Sequence, residues 1–373
     1  MVRADQKPGR RRALPEPRNR RLRPPSRRPR PPSASPTPPK GNGRNLSKRL
    51  ASPRTLGTLW FFVALLAVLA LLAGWSPLHV PTWLPTSGAV TVTTLYAHGL
   101  AFRTGGRPLV SGGLALVLSL AAVLSELPVL VAGAAAGTAV VAAVFGVMST
   151  KPAAGFVAVV RECVIATVVA AVGAFAVEAY QAQVSLERIG YLALGLSLLG
   201  ALGLVYRLGA GLHGLGRRGS IMLVIGLGLL FVILAYTEAL SRWGSPGMIE
   251  SVDETIRGIR SSIGAVPRPV AVLLGFPALA WGVSTRARRR QGWWVCAFGA
   301  AGLAVVTVSL LNPMVSLLES GLTVLYSAVL GVLLGYLVIR ADTFLTGARG
   351  RRARQLEEAS AHRPEPGRMQ PLL

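Results

Sequence analysis

Arg161 and Glu162 are the residues in this sequence best placed to do chemistry. They stand side by side inside an otherwise apolar run, 155–177. At 1.5 Å of rise per residue the pair lies on the order of 10 Å from the start of that run. A charge at such depth in a membrane is costly unless it is paired or faces water, so it marks a solute path, a proton relay or a structural ion pair. Neighbouring positions on a helix point about 100° apart, so the two side chains do not share one face. Two readings stay open. Arg161 snorkels to lipid phosphates while Glu162 contacts a neighbouring helix, or the two belong to a substrate or proton path. Glu238, beside Tyr236 and Thr237, has the same two readings near the end of the run 219–240.

Other chemistry is thin. Gly209-Ala-Gly211-Leu-His213-Gly214 fits the spacing of a dinucleotide loop. Such a loop works between a strand and a helix with an acid roughly 20 residues on. Here it joins two apolar runs, and the next acid, Glu238, ends the second of them. It reads as a flexible connection. His79, His98, His213 and His362 are isolated, and Cys163 and Cys296 lack neighbours at metal-ligand spacing. The two thiols read as small packing residues. No phosphate-loop lysine and no G-x-S-x-G elbow is present. The sequence therefore implies no catalytic residue, no cofactor and no metal.

The elements that must position Arg161 and Glu162 are membrane helices. The chain is 51% hydrophobic with a mean hydropathy of +0.51, and that average includes two polar tails. Recurrent apolar runs exclude a soluble enzyme, and two cysteines exclude a disulfide scaffold. The runs are 56–75, 84–102, 108–125, 129–148, 155–177, 190–206, 219–240, 269–285, 292–311 and 320–339. Nine are clear. The run 84–102 is diluted by Thr91, Thr93, Thr94 and His98. Charge supports counting it. Residues 1–54 hold 17 Lys/Arg against 2 Asp/Glu. With that tail inside and ten spans, Arg103, Arg107, Lys151, Arg207, Arg217, Arg218 and the Arg286–Arg290 cluster all fall in inside loops, as short cytoplasmic loops require. Dropping 84–102 sends the cluster outside. The expectation is an all-α polytopic bundle of about ten spans, with both termini cytoplasmic.

The long loop 241–268 carries its own pattern. Ile249, Val252, Ile256, Ile259 and Ile263 recur at helical steps, and Ser245-Pro246 suits an N-cap and first turn. An external amphipathic helix is expected over about 246–264, with Asp253 and Arg257 spaced for an i,i+4 contact. It either lies on the membrane surface or packs on the bundle. Gly133/Gly137, Gly331/Gly335 and the stripe Ala193, Ser197, Ala201 suit close helix packing.

Residues 1–54 form a basic, proline-rich tail without an aromatic residue, expected to be disordered. Its expected partner is the anionic inner leaflet of the bilayer, with a protein partner open. Nucleic acid is disfavoured because no stacking side chain is present. Residues 341–373 are expected to form a cytoplasmic C-terminal tail. Arginine supplies 36 of the 40 basic residues, and with the Ala, Gly, Leu and Val excess this points to a GC-rich bacterial genome.

Arg286-Ala-Arg-Arg-Arg-Gln-Gly-Trp-Trp-Val-Cys-Ala-Phe-Gly299, Leu311-Asn-Pro313, Gly335-Tyr-Leu-Val-Ile-Arg340 and His362-Arg-Pro-Glu-Pro366 carry a resemblance. Across the C-terminal third, the chain resembles a group of uncharacterised actinobacterial multi-pass membrane proteins. The resemblance implies a location and a topology, and no residue role. The functional expectation is a non-enzymatic component supporting cell-envelope machinery in the bacterial cell membrane. The alternatives are a permease-like transporter of a small solute and, third, a membrane enzyme acting on a lipid-linked substrate.

Overall fold

The computed structural model describes residues 53–77, 80–208, 216–288, 292–346, 365–368 and 370–372. Nearly all of the basic tail expected over 1–54, and the glycine-rich loop at 209–214, lie outside the described residues. Every element described is helical. In chain order these are α1 (Pro53–Ala73), α2 (Trp83–Arg103), α3 (Pro108–Ser125), α4 (Pro128–Met148), α5 (Phe156–Ala179), α6 (Leu186–Leu208), α7 (Gly216–Trp243) and α8 (Pro246–Ile263). A π-helical segment, Val270–Gly275, then runs into α9 (Phe276–Arg286), followed by α10 (Gly292–Thr307) and α11 (Leu317–Thr346).

A helix stands at each of the ten apolar runs. Six are long and apolar enough to cross a membrane: α3, α4, α5, α6, and the apolar stretches of α7 and α11. Three other stretches, in α1, in the π-segment with α9, and in α10, are apolar but shorter. The chain is a multi-pass membrane protein on this ground.

Proline and turn chemistry set the helix starts. Pro108 and Pro128 sit in the first turns of α3 and α4, where a missing N–H costs nothing. Glu126 adopts φ of 52°, which closes the short turn between them. Pro277 explains the π-segment. It cannot donate to the carbonyl four residues back, and its ring crowds that turn. The wider π turns just before it relieve the clash.

The centre of the bundle is α10, in which every residue except Val305 is buried. Glycine makes this possible. A Cβ on Gly275 would fall 2.3 Å from the Gly302 Cα, so the π-segment and α10 cross backbone to backbone. Gly331 and Gly335 of α11 receive Phe276 and Ala280 in the same way. Ala193, Ser197 and Ala201 are fully buried. Gly133 and Gly137 differ, since nothing lies within 4 Å of a Cβ built on either.

The loop 241–268 folds as its pattern predicts. Ser245 Oγ accepts from Met248 N–H, and Gly264 ends α8 at φ of +82°. No residue of α8 is buried, and the isoleucines of its stripe remain 36–48% exposed. Its C-terminal end alone is tied down, by Arg260 on Glu319 at 2.7 Å and by the Tyr326 hydroxyl on the Ile263 carbonyl at 2.9 Å. Arg257 donates to the backbone carbonyl of Asp253, not to its carboxylate.

Candidate functional site

The end of α4 organises the most polar site in the molecule. The last carbonyls of a helix have no partner within it and carry the negative end of the helix dipole. Here three arginines take them in order. Arg103 Nε donates to the Met148 carbonyl at 3.1 Å, Arg368 Nη1 to that of Ser149 at 3.0 Å, and Arg286 Nη2 to that of Thr150 at 3.1 Å. Arg286 Nη1 also reaches Thr150 Oγ1 at 2.8 Å, and its guanidinium stacks 3.5 Å from the centre of the Trp293 ring. Arg103 and Arg286 end α2 and α9 and are 1% exposed, so three elements converge on one buried charged layer.

Glu162 is the carboxylate of that layer and is fully buried on α5. It accepts the Lys151 N–H at 2.8 Å and both Nη groups of Arg368 at 2.6 Å. A fork-to-fork pair of this kind is among the stronger polar contacts a protein makes. Arg161 also bonds Glu162, at 3.1 Å, from a side chain that is 64% exposed. The two adjacent side chains therefore meet, because Arg161 folds back from its own face.

Arg368 belongs to a C-terminal arm, described at 365–368 and 370–372, that packs on the bundle. Glu365 pairs with Arg286 at 2.6 Å. The carbonyls of Gly367 and Gln370 accept from Arg103 Nη1 at 2.5 and 2.8 Å. Leu372 N–H bonds the Arg103 carbonyl at 2.9 Å. The arm is thus anchored on Arg103, Glu162 and Arg286 at once.

No family model, curated protein or solved structure matches the chain. The reading of the site rests on its own geometry.

Two cations remain under-satisfied within it. Arg103 Nη2 and Arg286 Nε are buried and find no acceptor among the described residues. Arg103 meets only neutral carbonyls, while both carboxylates of the layer are engaged elsewhere. Such a layer can hold an anion. Among the described residues no three His, Cys, Asp or Glu side chains cluster as a metal site would require.

A second polar region lies at the opposite end of the bundle. A cleft of about 850 Å³ opens between α2, α3 and α4. Thr86, Ser87, Thr91, Glu126, Tyr180 and Gln183 contribute to its lining. The Tyr180 hydroxyl continues inward, 3.1 Å from Thr93 Oγ1, which lies 2.7 Å from Thr138 Oγ1. One turn further on, the Tyr96 hydroxyl donates to the Val169 carbonyl at 3.1 Å. Thr93 is one of the residues that dilute the apolar run 84–102; in the structure it is buried between helices together with Thr138 of α4.

Of the residues singled out in the sequence, Arg161 and Glu162 stand at the charged layer and Glu238 does not. Glu238 bonds Arg242 one turn along α7. Cys163 and Cys296 are buried. Sequence reasoning placed Arg103 and Arg286 at loop edges and left Arg368 in the tail. The pairing of Arg368 with Glu162, and of Arg286 with Glu365, carries no local signal.

Proposed function

We propose that this chain is a non-enzymatic protein of the bacterial cell membrane, with about ten spans and both termini in the cytoplasm. On that topology the arginine layer faces the cytoplasm and the cleft faces outward, in keeping with the excess of Lys/Arg on the inside. Of the non-enzymatic functions open to such a bundle, the geometry favours a permease-like transporter of a small solute. One observation carries this reading: α2 lines the cleft with Thr86 and Thr91 and buries Thr93, Tyr96 and Arg103 beyond it. Thr93 and Arg103 are separated by about 15 Å at 1.5 Å per residue. Polar side chains at that depth are costly in lipid and mark water-accessible or solute-binding routes.

Cysteine accessibility tests both topology and route. Thr86→Cys, Thr91→Cys and Thr93→Cys are expected to react with a membrane-impermeant thiol reagent applied outside intact cells. Arg288→Cys is expected to react only after permeabilisation. Thr93→Cys inert from both sides would remove the permease reading, and Arg288→Cys reacting from outside would remove the topology.

The partly exposed isoleucine stripe of α8 supports a second reading, a component that serves envelope machinery through surface contacts. Crosslinked co-purification from native membranes, with and without residues 1–54, tests it. A stoichiometric partner lost with the tail supports it. An unchanged, partner-free protein in both samples counts against it.

A further inference from the structure

The charged layer holds more buried cation than buried anion. Arg103 and Arg286 are both 1% exposed. Glu162 is already shared between Arg368 and Arg161, and Glu365 is taken by Arg286. Arg103 has carbonyl oxygens only. One nitrogen on each of Arg103 and Arg286 lacks an acceptor among the described residues. Buried guanidinium groups in this condition seek an oxyanion, and the planar fork of arginine suits phosphate above other anions.

The two arginines address one locus. They bind α4-terminal carbonyls two residues apart, Met148 and Thr150, and arm groups two residues apart, Glu365 and Gly367. The described residues of the arm belong to no helix, so their departure would move none. The arm's Glu365 and Arg368 side chains are 14% and 26% exposed, so it sits at the boundary with water. When it leaves, Arg161 and Lys151 N–H still serve Glu162, whereas Arg103 and Arg286 lose every acceptor except the carbonyls of Met148 and Thr150 and the Thr150 hydroxyl.

We propose that Arg103 and Arg286 form a binding site for a phosphate group, and that residues 365–372 occupy it as an internal stand-in which the ligand displaces. The Glu365 carboxylate holds the place of the phosphate oxygens. A phosphate offers more acceptor oxygens than that carboxylate, enough to engage the unpartnered nitrogens of both arginines. The group arrives on a soluble phosphate or phosphate ester, or on a lipid headgroup. This inference deepens the permease-like reading by naming the chemistry of its inner site, and binding is measurable without transport.

The test uses the full-length chain in phosphatidylcholine nanodiscs, with a single added thiol at Leu372→Cys, a position packed against the bundle. Inorganic phosphate is expected to speed maleimide labelling of that thiol several-fold, and chloride at equal ionic strength is not. The double variant Glu365→Gln/Arg368→Gln, whose two changes lie on the arm and leave Glu162 to Arg161 and the Lys151 N–H, is expected to bind radiolabelled phosphate at least ten-fold more tightly than the parent. Adding Arg286→Gln should abolish that gain, and Arg286→Lys should restore part of it. A second nanodisc set containing phosphatidic acid separates the sources. Acceleration by free phosphate assigns a soluble ligand, and acceleration by phosphatidic acid alone assigns a headgroup. Labelling indifferent to both, with no phosphate bound by the arm variant, overturns the proposal. Phosphate-driven release of the arm in a protein whose Thr93→Cys stays sealed from both sides would keep this site and remove the permease reading.

Discussion

Glu162 and Arg161 look equivalent in sequence and differ sharply in what they hold. Glu162 is fully buried and fixes Arg368 through two bonds, whereas Arg161 is mostly in solvent. Removing one partner of a buried pair strands the other and costs about 3 kcal/mol. Glu162→Gln is therefore expected to lower the thermal unfolding midpoint in detergent clearly. Arg161→Gln should change stability by less than about 1 kcal/mol, as exposed pairs do. Equal effects of the two would contradict the geometry. Glu162 was legible because an acid in an apolar run is rarely accidental. Its chief partner was not, because Arg368 lies 206 residues away in a proline-containing tail. Arg103 and Arg286 were legible only as topology markers, since a basic residue at a span end has that use whether or not it is also buried in a site.

At the level of helices, two identical spacings have opposite environments. A Cβ built on Gly331 or Gly335 would fall under 3 Å from α9, whereas one built on Gly133 or Gly137 would have nothing within 4 Å. The pattern G-x-x-x-G reports a smooth helix face and is silent on what lies against it, so only the fold separates the two. Gly302→Val is expected to prevent a monodisperse bundle, because its side chain would enter the Gly275 backbone. Gly137→Ala should instead raise stability by about 0.5–1 kcal/mol, the usual cost of glycine within a helix. Size-exclusion profiles and unfolding midpoints in one detergent check both. Helix positions were read well from periodicity and run length, and α8 was read to within a residue or two. The π-segment was not anticipated, although Pro277 was in plain sight. A proline predicts a disturbed turn and does not say whether a kink, a break or a wider turn absorbs it.

For the whole molecule, the helical class was legible because membrane spans advertise themselves by composition. The arm escaped because a stretch with two prolines, a glycine and only two apolar side chains, Met369 and Leu372, has neither period nor enough hydrophobicity to betray a docking site. Its position in the chain has a consequence for how the protein is made. Residues 365–372 are translated after every helix described, so the ribosome delivers the counter-groups of Arg103 and Arg286 last. A nascent chain halted near residue 360 holds every helix described, while Arg103 and Arg286 lack the carboxylate and carbonyls that the arm brings them. Membrane quality control then meets a product that is inserted and yet unfinished. Such a chain is expected to turn over faster in a pulse–chase experiment than one carrying a silent change at the same codon.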